Sequence, residues 1–396
     1  MEKFESNIPE RNKISRDFIV EGLNLVTDDK AESKGFLKLK SNPITEVETS
    51  ENDIERKERV LLDSPEKFGA YFEGIDIENP DKMCRPKGDT TYFTTAGVQR
   101  IETILREEGK LERRKFVIAQ PSIRSQFMDK VKDGTSTSFV NLSVESIVST
   151  PDEFIDLSNQ LIKMVIDQGA SRDGLEFKIE EVFDKWGDRK FTKTVLTIYF
   201  KETEVGECVY IHDYSSSKTE KVAVSDISFG VERLNWALGN SINYFPEFND
   251  FYSETVDSNK ITSVIDCIRT AVLMAGEGIK PSHHDPGYRL RQLLKRFVSR
   301  NQIIDFDATK LARTAFAYWE KWGFKPSVPI DEVVEIINLE NVRSYNVLIL
   351  SMLEKEGGPR ININVSQPTN RLLEQINRSL PKEIVSAINN IIKKIK

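Results

Sequence analysis

The sequence predicts an α+β fold in which a sheet-forming domain of residues 1–251 is followed by a mainly helical domain of residues 252–396. Runs of β-branched and aromatic residues dominate the first part of the chain, and helical periodicity replaces them from Gly230 onward. Strands followed by helices are typical of α+β chains. The length of 396 residues also exceeds the roughly 150 residues of one average domain.

The expected sheet follows a mixed helix and loop region at residues 1–60, in which segment 46–58 is polar and charged. Residues 115–124 and 136–148 are β-rich runs on either side of a polar, glycine-containing connection. This arrangement predicts a long antiparallel hairpin. Further strands are predicted at residues 175–183, 191–200, 205–213 and 222–227.

Helix signals are clearest after the hairpin. Thr150 supplies a hydroxyl cap, Pro151 fits the first turn, and Gly169 is placed to end the helix. The remaining helices are predicted at residues 230–238, 258–276, 287–300, 307–322, 330–339 and 381–396.

Composition excludes several classes of protein. There are 56 basic and 63 acidic residues, so the net charge is −7 and general coating of nucleic acid by charge is disfavoured. The cysteines Cys84, Cys208 and Cys267 are far apart and odd in number, which argues against a disulfide framework. A charged N-terminus without an apolar run, and no stretch of about 18 apolar residues, predict a cytoplasmic protein without a membrane partner.

Five residues of the sheet-forming half suit nucleotide and amino-acid chemistry. Arg124 ends a hairpin strand, Phe139 lies on its partner, and Asp226, Gly230 and Arg233 lie where a strand runs into a helix. An arginine can bind a phosphate through two hydrogen bonds, and a second arginine can stack its planar guanidinium on a purine. An aromatic ring such as Phe139 could cover the opposite face of the purine, and an aspartate such as Asp226 could hold an ammonium group. Taken singly, each of them is more often a surface ion pair, a core side chain or a structural salt bridge.

A basic helix lies in the helical half. Arg289, Arg291, Lys295, Arg296 and Arg300 occur without an acidic residue between positions 287 and 300. Phosphate contact is one interpretation. Packing of the leucines on the other face of the helix is an equally good one.

These segments occur in the order of the class II aminoacyl-tRNA synthetases, and they most resemble the catalytic core and helical domain of the alanyl-tRNA synthetase family. The resemblance spans about residues 88–300. Its segments are GDTTYFTTAGV at 88–98, AQPSIR at 119–124, TSF at 137–139, DISFGVERL at 226–234, DCIR at 266–269 and GIKPSHHDPGYRLR at 278–291.

The resemblance implies an antiparallel sheet that binds ATP with Mg²⁺ and an amino acid, and forms an aminoacyl-adenylate. Position by position, Arg124 would bind the α-phosphate, and Phe139 and Arg233 would hold the adenine beside Gly230. Asp226 would bind the α-ammonium group. The ligands of Mg²⁺ are not assigned, and a homodimer is left open.

Two departures from the family pattern change the expected function. Glu207 lies nearest the position of the tryptophan that walls the family's alanine pocket, so the amino acid need not be alanine. His283 replaces an asparagine with which the family reads its tRNA. We therefore expect an ATP-dependent, AMP-forming ligase that passes an amino acid to a non-tRNA acceptor. The alternatives are a compact enzyme that charges tRNA and a non-catalytic amino-acid or tRNA-binding protein. His283, Arg289, Arg291 and Lys295 are the candidate acceptor-binding residues.

Overall fold

A computed structural model describes residues 12–27, 35–40, 62–86, 91–186, 189–215, 221–239, 245–252, 256–301, 304–355, 364–379 and 386. The chain forms two compact units. The first comprises residues 1–122, 139–244 and 321–323, and the second comprises residues 123–138, 245–320 and 324–396. Among the residues described here, no helix is long and apolar enough to cross a membrane.

The first unit is built on a nine-stranded sheet, which confirms the α+β class. The strands are β1 (Leu25–Thr27), β2 (Leu37–Leu39), β3 (Asp76–Glu78), β4 (Arg114–Ile123), β5 (Ser138–Ile147), β6 (Leu175–Trp186), β7 (Arg189–Phe200), β8 (Thr203–Tyr214) and β9 (Val222–Gly230). Their order in the sheet is β1-β2-β6-β7-β8-β9-β5-β4-β3. The sheet is mixed rather than wholly antiparallel, because β3 pairs parallel with β4. A helix connects these two strands, as parallel neighbours require.

The helices of the first unit are α1 (Arg16–Gly22), α2 (Pro65–Gly69), α3 (Gln99–Glu108), α4 (Pro151–Asp167) and α5 (Val231–Ala237). The predicted cap of α4 is confirmed, since the Glu153 backbone N–H donates to Thr150 Oγ1 at 3.2 Å. Helix α3 was not predicted. Its apolar residues Ile101, Ile104 and Leu105 are buried in a core cluster with residues of β4, β5, β7, β8 and β9.

The strands β4 and β5 are neighbours in the sheet, as the predicted hairpin requires. Just beyond their ends, the Arg124 backbone N–H donates to the Thr137 carbonyl at 2.8 Å. The four strands predicted after residue 170 all form, each extended by up to three residues at an end. The polar segment 46–58 lies outside the described residues.

The second unit is mainly helical. Its helices are α6 (Ser258–Gly276), α7 (Gly287–Asn301), α8 (Ala308–Lys321), α9 (Ile330–Lys355) and α10 (Thr369–Ser379). The expected end of α9 at residue 339 was wrong, because polar residues beyond it are accommodated inside the unit. Glu340 accepts from Arg291 and Arg343, and the buried Asn346 donates to the Val365 carbonyl at 2.9 Å. The helix predicted at 381–396 lies outside the part of the chain that the structure describes.

Candidate functional site

One face of the sheet changes from apolar to polar along the strands of the first unit. The part of this face that α3 covers belongs to the hydrophobic core. Beyond that core, side chains in register across four strands are polar. Ser143 pairs with Ser228, Ser228 with Glu207, and Glu207 with Thr197, so these four residues form one row. We call the whole set the polar face, and its members are Asn141, Ser143, Glu145, Thr197, Glu207, Asp226 and Ser228.

Glu145 and Asp226 form the centre of the polar face, directly opposite each other on β5 and β9. Glu145 is completely buried and Asp226 is 7% exposed. Burial raises the pKa of Asp226 to about 7, and burial together with the nearby Asp226 carboxylate raises the pKa of Glu145 well above its usual value. Such a pair retains a proton near neutral pH until a cation replaces it.

The hydrogen bonds of this pair are incomplete. The Ser143 hydroxyl donates to Glu145 Oε1 at 2.9 Å. Glu145 Oε2 and Asp226 Oδ1 are buried and receive no hydrogen bond. Because a buried acceptor without a donor costs free energy, the proton that the pair retains is the expected donor between the two carboxyl groups.

Gly97 brings backbone against the polar face. Its N–H donates to Asn141 Oδ1 at 2.6 Å. A Cβ atom at this position would lie 2.1 Å from Ser143 Oγ and 2.9 Å from Ile118 Cγ2, so only glycine fits without a shift of its neighbours. Gly97 belongs to the segment 88–98 of the family resemblance, of which residues 88–90 lie outside the described part.

Three of the predicted ATP-binding residues come together where β9 ends. Gly230 is the N-cap residue of α5, and a Cβ atom on it would lie 3.4 Å from Phe139 Cδ2 and 3.8 Å from Arg233 Cβ. The Arg233 Nε–H donates to the Glu204 carbonyl at 2.7 Å. Glu232, buried beside it, accepts from the Val140 backbone N–H at 3.0 Å and so ties α5 to β5. The Phe139 ring and the Arg233 side chain thus both lie against Gly230, and we call this group of three residues the cradle.

Asp226 lies four residues before Gly230 on the same strand, and both face the same side. Four residues of extended chain span about 13 Å. The cradle at Gly230 and the carboxyl pair at Asp226 therefore lie about 13 Å apart along one face of the strand.

Of the four predicted ATP-binding residues, Arg124 belongs to the second unit. It precedes a short 3₁₀ helix, Ser125–Phe127, and its backbone bonds to Thr137. The Thr137 N–H donates in turn to Asp266 Oδ1 at 2.8 Å, and Thr270 Oγ1 donates to the Ser138 hydroxyl at 2.7 Å. Helix α6 thus anchors the chain on the far side of the Arg124 loop.

Arg269 is a buried cation that the sequence analysis did not single out for a role. It is completely buried, and its guanidinium carbon lies 4.0 Å from the centre of the Phe245 ring, 4.6 Å from that of Tyr318 and 4.8 Å from that of Trp319. Its Nη1 donates to the Ser138 carbonyl at 3.3 Å. Such an arginine combines cation–π contacts with backbone hydrogen bonding.

The candidate acceptor-binding residues lie on and before α7. Arg291 Nη1 donates to the His283 ring at 3.3 Å, and Arg291 Nε lies 3.1 Å from Glu340 Oε1. Arg289 lies 3.3 Å from Asp285, whereas Lys295 is exposed. Two further arginines of the basic helix have internal partners as well: Arg296 forms two 2.8 Å hydrogen bonds to Asp129, and Arg300 lies 3.8 Å from the same carboxylate.

His212, one of only three histidines in the sequence, lines a cavity of the first unit that none of the polar-face residues line. This cavity has a volume of about 1030 Å³ and includes Thr150 and Pro151 at the start of α4. The two ring nitrogens lie 2.8 Å from Thr194 Oγ1 and 3.0 Å from the Asn12 carbonyl. Burial lowers the pKa of His212, which favours a neutral, structural imidazole.

Sequence reasoning identified Asp226 but missed Asn141, Ser143 and Glu145. A signal for them was present, because these polar residues alternate with the apolar Val140, Leu142 and Val144 along β5. Alternation places them on one face of the strand. Their burial beside Asp226 depends on strand order, which no local pattern contains.

Within the described ranges, no group of three or more histidine, cysteine, aspartate or glutamate side chains is placed to hold a metal ion. Mg²⁺ that accompanies a nucleotide usually takes one or two carboxylates together with phosphate oxygens and water.

Comparison of the chain with models of known protein families finds no match, and comparison with curated proteins finds none.

Proposed function

We propose that the protein activates an amino acid with ATP and transfers the aminoacyl group to an acceptor other than tRNA, as an amide or ester ligase of the class II synthetase type. The observation that carries the proposal is the polar face, with the Phe139–Gly230–Arg233 cradle at one end and the Asp226–Glu145 pair about 13 Å along the strand. An aminoacyl-adenylate has an aromatic base at one end and an ammonium group at the other, and matches this layout.

In this proposal the residues of the first unit bind and orient both substrates. Phe139 and Arg233 hold the adenine ring between an aromatic face and a planar guanidinium. Asp226 binds the α-ammonium group. A carboxylate oxygen of the amino acid attacks the α-phosphorus of ATP, the bond to the bridging oxygen breaks, and pyrophosphate leaves. Mg²⁺ on the phosphates would neutralise their charge, and the assignment of Arg124 to the α-phosphate stays a prediction from the resemblance.

The second candidate is aminoacylation of tRNA. The exposed Lys295 on the acid-free helix α7 favours it. The ion pairs of Arg291 with Glu340 and of Arg296 with Asp129 favour the first candidate, because they give these arginines a structural role.

ATP–pyrophosphate exchange tests the proposal. Exchange that depends on one amino acid, in wild-type protein without tRNA, is the expected result. The Arg233→Ala variant should lose exchange at least a hundredfold, whereas Arg172→Ala, which changes an exposed arginine of the same unit, should retain it. Normal exchange in Arg233→Ala would contradict the adenine assignment.

The acceptor is tested separately, by supplying labelled amino acid, ATP and bulk tRNA. Transfer to tRNA that Lys295→Glu abolishes, with exchange unchanged, would favour the second candidate. ATP binding without exchange for any amino acid would instead favour a non-catalytic binding protein.

A further inference from the structure

The two carboxyl groups at the centre of the polar face lie in different surroundings. Glu145 is completely buried, whereas Asp226 is 7% exposed. Two charged groups on neighbouring strands act on Asp226 after the larger effect of burial: the Glu207 carboxylate raises its pKa and the Lys193 ammonium group lowers it. The charge that acts on Glu145 is that of Asp226 itself. Ionisation of Glu145 would place a second negative charge beside Asp226 at the drier of the two positions, so Glu145 is the carboxyl group that keeps its proton.

The hydrogen bonds around the pair supply one donor to each carboxyl group and leave one buried oxygen on each. The Ser143 hydroxyl donates to Glu145 Oε1 at 2.9 Å, and Asp226 accepts a hydrogen bond from the Ser228 hydroxyl. The two remaining oxygens are Glu145 Oε2 and Asp226 Oδ1. A single O–H···O bond between two carboxyl groups satisfies both of these oxygens at once.

The direction of this bond follows from its effect on each carboxyl group. Glu145 and Asp226 lie directly opposite each other on neighbouring strands, within reach of such a bond. The bond raises the pKa of Glu145, in addition to the larger effects of burial and of the Asp226 charge, and it lowers the pKa of Asp226 against the larger effect of burial. A hydrogen bond that stabilises the neutral form of one acid and the ionised form of the other has the first acid as its donor.

We propose that Glu145 is a positioning residue, which stays protonated in the folded protein, donates a hydrogen bond to the Asp226 carboxylate and so holds that carboxylate in one orientation. Binding of an α-ammonium group at Asp226 rests on the proposed function. Of the protons that the pair can hold, the one on Asp226 is replaced by the incoming cation, and the one on Glu145 stays. The site then presents a single ionised carboxylate of fixed orientation to the amino acid.

Amide substitutions on the two sides of the pair separate the two roles. Glu145→Ala removes the donor to Asp226 and should raise the KM for the amino acid in ATP–pyrophosphate exchange at least tenfold. Glu145→Gln should recover most of this loss, because its amide oxygen accepts from Ser143 and its amide N–H donates to Asp226. The equivalent amide on the other side, Asp226→Asn, removes the charge that binds the ammonium group and should raise the KM at least a hundredfold.

The proton on Glu145 can be measured without any substrate. Infrared spectroscopy of protein that contains ¹³C-labelled glutamate distinguishes the C=O stretch of a protonated glutamic acid from the bands of carboxylates. We expect a protonated band that persists at pH 8 in the wild-type protein and that Glu145→Gln removes. Glu202→Gln, which changes an exposed glutamate in the turn before β8, should keep the band. Thermal unfolding shows that the variants are folded.

The outcomes separate this inference from the proposed function. Absence of the band at pH 8, or its persistence in Glu145→Gln, overturns the inference whether or not exchange occurs. The band without exchange for any amino acid supports the protonated donor and overturns amino-acid activation. Exchange that Glu145→Gln impairs as much as Glu145→Ala does overturns the positioning role and leaves activation standing, because the carboxylate of Glu145 would then itself bind the substrate.

Discussion

Replacing Asp226 with asparagine is expected to make the folded protein more stable at neutral and alkaline pH while it weakens substrate binding. The carboxyl group is 93% buried next to Glu145, and its pKa rises from 3.8 to about 7 on folding. A group with a raised pKa stabilises the fold while it is protonated. That contribution is complete below about pH 4 and disappears as the pH rises through about 7.

The magnitude follows from this difference in proton affinity. At about 1.4 kcal/mol for each tenfold change, ionised Asp226 costs the folded state about 4 kcal/mol at pH 8. At pH 5 the cost is only about 2 kcal/mol, because most of the folded protein still holds the proton. The neutral amide of Asp226→Asn avoids this cost and is placed to donate to Glu145 Oε2, which now lacks a donor.

Urea unfolding of wild-type protein and Asp226→Asn between pH 5 and pH 8.5 measures the effect. The advantage of the variant in free energy of unfolding should grow by about 2–3 kcal/mol across this range. Asp156→Asn, at an exposed position of α4 in the same unit, is the matched control and should show no such growth. A difference that stays constant with pH, or a variant that is less stable at pH 8, would refute the assignment of a strained, proton-sharing pair.

Two further changes test the packing on which the site depends. Gly97→Ala places a methyl group 2.1 Å from the Ser143 hydroxyl oxygen and 2.9 Å from a methyl carbon of Ile118, so we expect a loss of about 2 kcal/mol in free energy of unfolding. The control is Gly69→Ala, whose new methyl group has no neighbour nearer than 3.6 Å. It should cost less than half as much in the same urea titration. Arg269→Leu removes a completely buried cation beside the buried Asp266 carboxyl, and a loss of about 3–5 kcal/mol is expected because Asp266 is left without its countercharge. A loss of less than 1 kcal/mol in Arg269→Leu would show that Asp266 is protonated in the folded state.

Local signals in the sequence were sufficient for most elements of the fold. The cap at Thr150 and the β-rich runs of β4 and β5 depend on neighbouring residues, so they could be predicted. The end of α9 could not, because Glu340 is buried only through partners far along the chain. Arg291, which lies 3.1 Å from Glu340, is 49 residues away in sequence.

The candidate site shows the same division. Phe139, Gly230 and Arg233 were predicted from motif resemblance, and the structure brings them together. Glu145 was missed because its importance depends on which strand lies beside β5. Strand β9 lies beside β5, although more than 70 residues separate Glu145 from Asp226 in the sequence.

The position of the polar face follows from the length of α3. A helix of 10 residues is about 15 Å long, whereas the strands β7 and β8 each contain 12 residues and extend about 40 Å. The helix can therefore bury only part of the sheet face, and apolar residues such as Val195 and Val209 occupy that part. Beyond the part that α3 covers, the side chains in register on β5, β9, β8 and β7 are polar. The Glu145–Asp226 pair therefore lies at the margin of the core, where burial raises the pKa of both carboxyl groups.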